Sequence, residues 1–240
     1  MLISWQYKFL FLHVPKTGGT SLTRALAPYA RPIERFAIAG VSTPVLRRAL
    51  AIFSGGDDPV QKITGIATHA LAHTASDQFG EDKVAPLTKI MFVRNPFTHA
   101  YSLYAHMRRT KTHPFYDAMQ RYSFAEMLQH YYLKGASAQL PYAEPSSAGE
   151  IGFVGRFECL QEDAKLLSEE LGLPQPLLVK RTNTNPEQVS KLREKFGTML
   201  EPFIEAKKPE FKLFGYSTNI ERAAEPPAFA PSRVIISTQL

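Results

Sequence analysis

The stretch FLHVPKTGGTSLTRAL, from Phe11 to Leu26, constrains this chain more than any other. An apolar run with strand character breaks at Lys-Thr-Gly-Gly-Thr-Ser and resumes with helical spacing. A strand that feeds a glycine turn and then a helix lets backbone N–H groups converge on an anion, and the helix N-terminus adds partial positive charge. Lys16 supplies a full charge, and Thr17, Thr20 and Ser21 supply hydroxyl donors beside Gly18 and Gly19. A plain Gly-Gly connection with Lys16 in solvent is the other reading of the same residues.

The Walker loop GxxxxGK[ST] differs in order, because its lysine follows the last glycine. Here Lys16 precedes Gly18 and Gly19, and counting back from Gly19 to the Walker loop's first position lands on Val14. No strand ending in Asp stands out as a Walker-B metal ligand, so an ATP or GTP hydrolase is disfavoured. Net charge is +6 over 240 residues, which suits a polyanionic ligand. The basic residues fall in pairs such as Arg47 with Arg48 and Arg108 with Arg109, without a basic run or an RNA-binding aromatic signature, so no nucleic-acid partner is expected.

Hydrophobic residues make up 44% and charged residues 21% of the chain, enough for a substantial core in one domain. Cys159 is the only cysteine, so no intrachain disulfide forms and a reducing compartment is expected. The apolar opening lacks a charged region ahead of a long apolar run, and no stretch is long enough to span a bilayer. A cytoplasmic protein is expected.

Apolar runs alternate with amphipathic stretches, as in α/β proteins. YKFLFLHV, Tyr7 to Val14, reads as the first strand, and Thr20 to Pro28 as a helix with Thr20 or Ser21 capping it. TPVLRRALAIF reads as a second helix ended by SGGDDP, and QKITGIATH as a weaker strand. TKIMFVR is the clearest interior strand; NPFTHAYSLYAHMRR follows as a helix opened by Pro96. SFAEMLQHYYL reads as an amphipathic helix with Ser123 and Glu126 spaced as a capping box. Residues 135–149 read as a loop that shapes an acceptor site, EIGFVGRF as a late strand, and ECLQEDAKLLSEELGL as a helix. The domain is read as residues 1–218, with 219–240 as a mobile tail.

HVPKTGGTSL resembles the 5′-phosphosulfate loop of sulfotransferases, in particular the carbohydrate branch and its bacterial relatives. FVRNPFTHAYSLY resembles the 3′-phosphate motif of that family, VGRFECLQEDAKLL its later Gly-Arg-[FY]-Glu segment, and FKLFGYS the usual end of its domain. The resemblance spans Phe9 to Tyr216. It implies a P-loop-like three-layer α/β fold, a central, mainly parallel sheet flanked by helices. It also implies 3′-phosphoadenosine-5′-phosphosulfate (PAPS) as sulfuryl donor, no metal, and a carbohydrate or glycolipid hydroxyl as acceptor, with peripheral membrane contact left open. An ATP-dependent kinase-like enzyme and a catalytically silent nucleotide-binding protein are the alternatives.

The same resemblance assigns Lys16 through Ser21 to the 5′ end of the donor and Arg94 with Ser102 to its 3′-phosphate. Ser102 lies about two helical turns beyond Arg94, whose planar fork suits a phosphate. Arg156 is a further cation for the nucleotide, or the partner of Glu158 or of an acidic helix. Where relatives carry Trp-Asp-Arg after the proline, this chain has Phe97, Thr98 and His99, so a salt bridge or cofactor contact of the arginine is expected to be lost. Relatives also carry a His-x-x-Ala segment between the two motifs. His73 in HTAS is assigned there as general base, with His69 second. His13 is expected to orient the loop, and His99, His106, His113 and His130 to be peripheral.

Overall fold

A computed structural model describes residues 1–30, 68–136, 139–144, 149–179 and 191–228. The helix expected over TPVLRRALAIF and nearly all of the strand expected over QKITGIATH lie outside them. Described strands β1 (Leu2–Ser4), β2 (Phe9–Phe11), β3 (Thr88–Val93) and β4 (Ile151–Arg156) form one sheet in that order. β1 pairs antiparallel with β2, while β2 with β3 and β3 with β4 are parallel. The opening run is thus a hairpin where one strand was expected. Its turn is held by Ser4 Oγ, which accepts from Tyr7 N at 3.2 Å and donates to the Tyr29 carbonyl at 2.7 Å.

The run Phe9-Leu10-Phe11-Leu12 is buried on both sides, as parallel strands between helical layers require. Alternation divides it. Phe9 and Phe11 join Leu22, Leu26, Phe92, Phe153, Leu160 and Leu167 on one face. Leu10 and Leu12 join Met91, Val93, Phe97, Phe203 and Phe211 on the other. Two hydrophobic layers therefore sandwich the sheet, and the expected three-layer α/β architecture is present.

One layer carries α1 (Gly19–Leu26), which follows β2, and a later helix (Leu160–Glu170), which follows β4. Against the other face lie α2 (Ala72–Phe79), α3 (Glu81–Val84) and α4 (Pro96–Arg109), followed by α5 (Tyr116–Arg121) and α6 (Phe124–Met127). α6 opens with the expected capping box, Ser123 Oγ accepting from Glu126 N and the Glu126 carboxylate accepting from Ser123 N. It then continues as a π-helix from Leu128 to Ala136. The loop expected over 135–149 contains a short helix, α7 (Leu140–Ala143). The helix after β4 becomes α8, and α9 (Leu192–Phe196) and α10 (Leu200–Leu213) close the aromatic core around Phe97. Ile220 and Ala223 are buried, so the packed body continues past residue 218. Among the described residues no helix is long and apolar enough to cross a membrane.

α8 is tied to β4 by Arg156. Its guanidinium grips the buried Asp163 carboxylate at 2.8 and 2.7 Å, and its backbone N–H donates to the same group at 2.6 Å. Removing one member of a buried pair leaves the other uncompensated. Asp163→Ala should lower the unfolding free energy by about 3 kcal/mol in urea titration.

Candidate active site

Parallel pairing of β2 with β3 sets the ends of both strands side by side, and both motifs leave the sheet there. The segment after β2 turns through Lys16, whose φ of 62° lies in the left-handed region, and Gly18 at 86°. Positive φ is cheap for glycine and unfavourable for lysine, so the loop stores strain at the residue that carries its charge. The imidazole of His13 packs against Gly19 so closely that a methyl group there would overlap the ring. α1 starts at Gly19 with Gly18 as N-cap and no side-chain cap, so neither Thr20 nor Ser21 caps it. In the first turn Ser21 N already donates to the Gly18 carbonyl at 3.0 Å, while the N–H groups of Gly19 and Thr20 stand ahead of the first helical hydrogen bond. Thr17 is turned inward and donates its hydroxyl to the Val14 carbonyl at 3.0 Å.

Arg94 leaves the end of β3 clasped by the buried Gln139. Its N–H donates to Gln139 Oε1 and its carbonyl accepts from Gln139 Nε2, both at 2.8 Å. The guanidinium donates to Thr98 Oγ1 at 3.0 Å and to the Lys16 carbonyl at 3.3 Å, and lies 4.1 Å over the Phe157 ring centroid. Asn95 caps α4 through Phe97 N at 3.0 Å, and its own N–H donates to Glu158, which also accepts from Tyr216. Burial raises the Glu158 pKa, against these hydrogen bonds.

A cleft of about 890 Å³ opens over these strand ends. Lys16, Gly18, Gly19, Thr20, Ser21, Arg94 and Ser102 all line it, as does Arg24 from α1. Among the described lining residues none is a carboxylate. Burial, then Arg94 and Arg109, lower the Lys16 pKa from 10.5. Cations crowded into a lining with no carboxylate among its described residues favour an anion.

Arg156 does not line the cleft, and its pairing with Asp163 matches the acidic-helix reading. His73 is exposed on α2, outside the lining, whereas His69 lines the cleft. The literal His-x-x-Ala spacing is met by His69 and Ala72, while Ser76 stands third after His73. His69 Nδ1 lies 2.7 Å from the His13 carbonyl, and its ring meets that of His13 edge-on at 4.7 Å. A carbonyl only accepts, so Nδ1 carries the proton and Nε2 is the basic nitrogen of the neutral ring.

His106 and His113, expected to be peripheral, line the same cleft with their rings 5.6 Å apart. Burial and then Lys16 lower both pKa values, His106 to about 4. His99 is buried beneath the loop, also against expectation, while His130 stacks on Tyr122. Gln139, Tyr132 and the clasp on Arg94 escaped the sequence reading, since nothing local distinguishes a glutamine in a Ser- and Ala-rich stretch.

A family model described as "Sulfotransferase family" matches residues 1–217. No curated protein and no solved structure gives a significant match.

Lys16 binds an anion only when charged, so affinity present below its folded pKa is lost as pH rises through it. Because that pKa lies below 10.5, calorimetric binding of inorganic pyrophosphate should weaken at lower pH than for an ordinary lysine. Lys16→Met should bind more weakly and lose this pH dependence.

Proposed function

The chain belongs to the sulfotransferase family, and from that premise we propose that it moves a sulfuryl group from PAPS to a hydroxyl of a carbohydrate or glycolipid acceptor. The observation that carries this reading is the pair of cationic sites in one lining that has no carboxylate among its described residues: the Lys16 loop with the α1 N-terminus, and Arg94 with Ser102. They match a donor with a phosphosulfate at one end and a separate 3′-phosphate. When bound, the donor supplies an activated S–O bond whose leaving group is the 5′-phosphate.

Lys16 and the first-turn N–H groups of α1 bind that phosphate and stabilise the charge it gains as the S–O bond breaks, a preorganised electrostatic task. Thr20 and Ser21 add hydroxyl donors. Arg94, placed over the Phe157 ring and clasped through its backbone by Gln139, presents a positioned cation for the 3′-phosphate. Thr17 supports the loop from within, through Val14.

His69 is the base we assign, ahead of His73. Its Nδ1–H is committed to the His13 carbonyl, so Nε2 takes the proton as the acceptor oxygen forms its bond to sulfur. His106 and His113 line the same cleft as Lys16, which lowers both pKa values after burial. Beyond them Phe115 and Tyr131, with ring centroids 5.0 Å apart, and Leu103 and Met107 give an apolar wall. Such a wall suits the C–H face of a sugar ring or the apolar part of a glycolipid.

Calorimetry with adenosine 3′,5′-bisphosphate, with ATP and magnesium as comparison, tests the donor. Binding of the bisphosphate, weakened by about 1.5–3 kcal/mol in Arg94→Ala, is the expected result; preference for ATP would overturn the assignment. His69→Ala should lower kcat for sulfuryl transfer by roughly 10²–10⁴ while leaving bisphosphate affinity in place. If His73→Ala instead carries that loss, the base is His73.

A further inference from the structure

We propose that His99, oriented by Tyr132, is a positioning residue that locks the Pro15–Lys16 peptide in the form that binds the donor. The proposal rests on the assignment of this loop to the 5′ end of the donor. For loop amides to face an anion, the loop carbonyls must face elsewhere. The Val14 carbonyl accepts from Thr17, and that of Lys16 accepts from Arg94. The Pro15 carbonyl lies 2.9 Å from Nε2 of His99, a residue only 1% exposed that does not line the cleft.

A peptide group is planar and trans, so its N–H points opposite its C=O. With the Pro15 carbonyl turned inward to His99, the Lys16 N–H is turned outward. Rotating this one peptide plane would bring the Lys16 φ from 62° toward the favourable negative range. It would also aim a carbonyl dipole at the anion. Local backbone preference therefore favours the wrong form, and the hydrogen bond from His99 opposes it.

That bond requires one tautomer. The Pro15 carbonyl can only accept, so Nε2 must carry the proton and Nδ1 the lone pair. Tyr132 enforces this choice, because its hydroxyl lies 2.8 Å from Nδ1 and donates to it. The opposite tautomer would set a lone pair against the carbonyl oxygen. Burial, together with nearby Arg94, Lys207 and Lys16, keeps the ring neutral by lowering its pKa to about 3, against the Pro15 hydrogen bond. Tyr132 is itself fully buried, with the Lys207 ammonium 4.7 Å from its ring centroid. The brace thus runs from α10 through the π-helix and α4 to the loop.

The double variant His99→Leu with Tyr132→Phe deletes both sides of the Tyr132–His99 hydrogen bond, so no orphaned hydroxyl is left to unfold the protein, and takes from the Pro15 carbonyl the donor that holds it inward. His99→Gln is the conservative control, since its amide can both donate to Pro15 and accept from Tyr132. Calorimetry should show the double variant losing at least roughly tenfold in affinity for adenosine 3′,5′-bisphosphate, a ligand that needs the loop. Affinity for adenosine 3′-monophosphate, which lacks the 5′ group, should be retained, and His99→Gln should recover bisphosphate binding. Undiminished bisphosphate binding in the double variant, or equal loss for both ligands, would overturn the proposal.

The donor assignment is judged separately, by whether the unmodified protein binds the bisphosphate at all. Ring nitrogen NMR reads the brace without any ligand. An Nε2–H tautomer at His99 that does not titrate between about pH 5 and 8, and is disturbed in Tyr132→Phe, is expected. A titrating His99 or an Nδ1–H ring would overturn the proposal whatever the donor is.

Discussion

Parallel pairing between Phe9–Phe11 and Thr88–Ile90 is the constraint on which the rest of the molecule depends. Parallel neighbours end at the same edge of a sheet, so their following loops must share space, and open α/β sheets bind ligands at that edge. Here one loop carries Lys16 and the other Arg94, with the Arg94 guanidinium on the Lys16 carbonyl. The pairing is secured by burial on both faces: phenylalanines 9 and 11 fill one layer, and leucines 10 and 12 the other. A shift of one residue would exchange these sets.

Bringing cations together at that edge opposes folding, because Lys16 and Arg94 repel and Lys16 is partly desolvated. The protein offsets this repulsion with dipoles while leaving the cleft free of carboxylates among the described residues. Loop carbonyls face the guanidinium and the His99 ring, Gln139 completes the backbone of Arg94, and Glu158 lies behind Asn95. A carboxylate in the cleft would relieve the repulsion directly but compete with the ligand. Glu158 instead stands behind the strand ends, outside the cleft lining.

What could be read from the sequence follows from how local each signal is. Strand β3, the capping box at Ser123 and the loop around Gly18 depend on neighbours within a few residues, and all appear where expected. The family resemblance identified a chain whose family match extends over residues 1–217. The hairpin at Ser4 was missed because its turn is held by Tyr29, far along the chain. Choosing between His69 and His73 needs the orientation of α2 and of the segment before it relative to the loop, which spacing alone does not supply. For Arg156, sequence left two roles open, and the bidentate fit to Asp163 from the first turn of α8 describes the geometry. His99 was read as a lost arginine; its role beneath the loop depends on Tyr132, brought there from another helix.

Tyr132 reaches that position because the helix after the capping box changes its winding. The stretch Ser123 to Leu133 reads as an ordinary α-helix, in which residues four apart share a face. From Leu128 to Ala136 the hydrogen bonds instead span five residues, so positions five apart also come to share one. Met127, Tyr131 and Tyr132 consequently all line the cleft. With α winding, adjacent tyrosines would diverge by about 100° around the axis, and only one could stay with Met127. The wider turn lets Tyr131 join the aromatic wall while Tyr132 inserts beneath the loop to meet His99. One local departure from α geometry thereby serves two parts of the cleft, and it is offset by tight packing, since Met127, Leu128 and Tyr132 are completely buried.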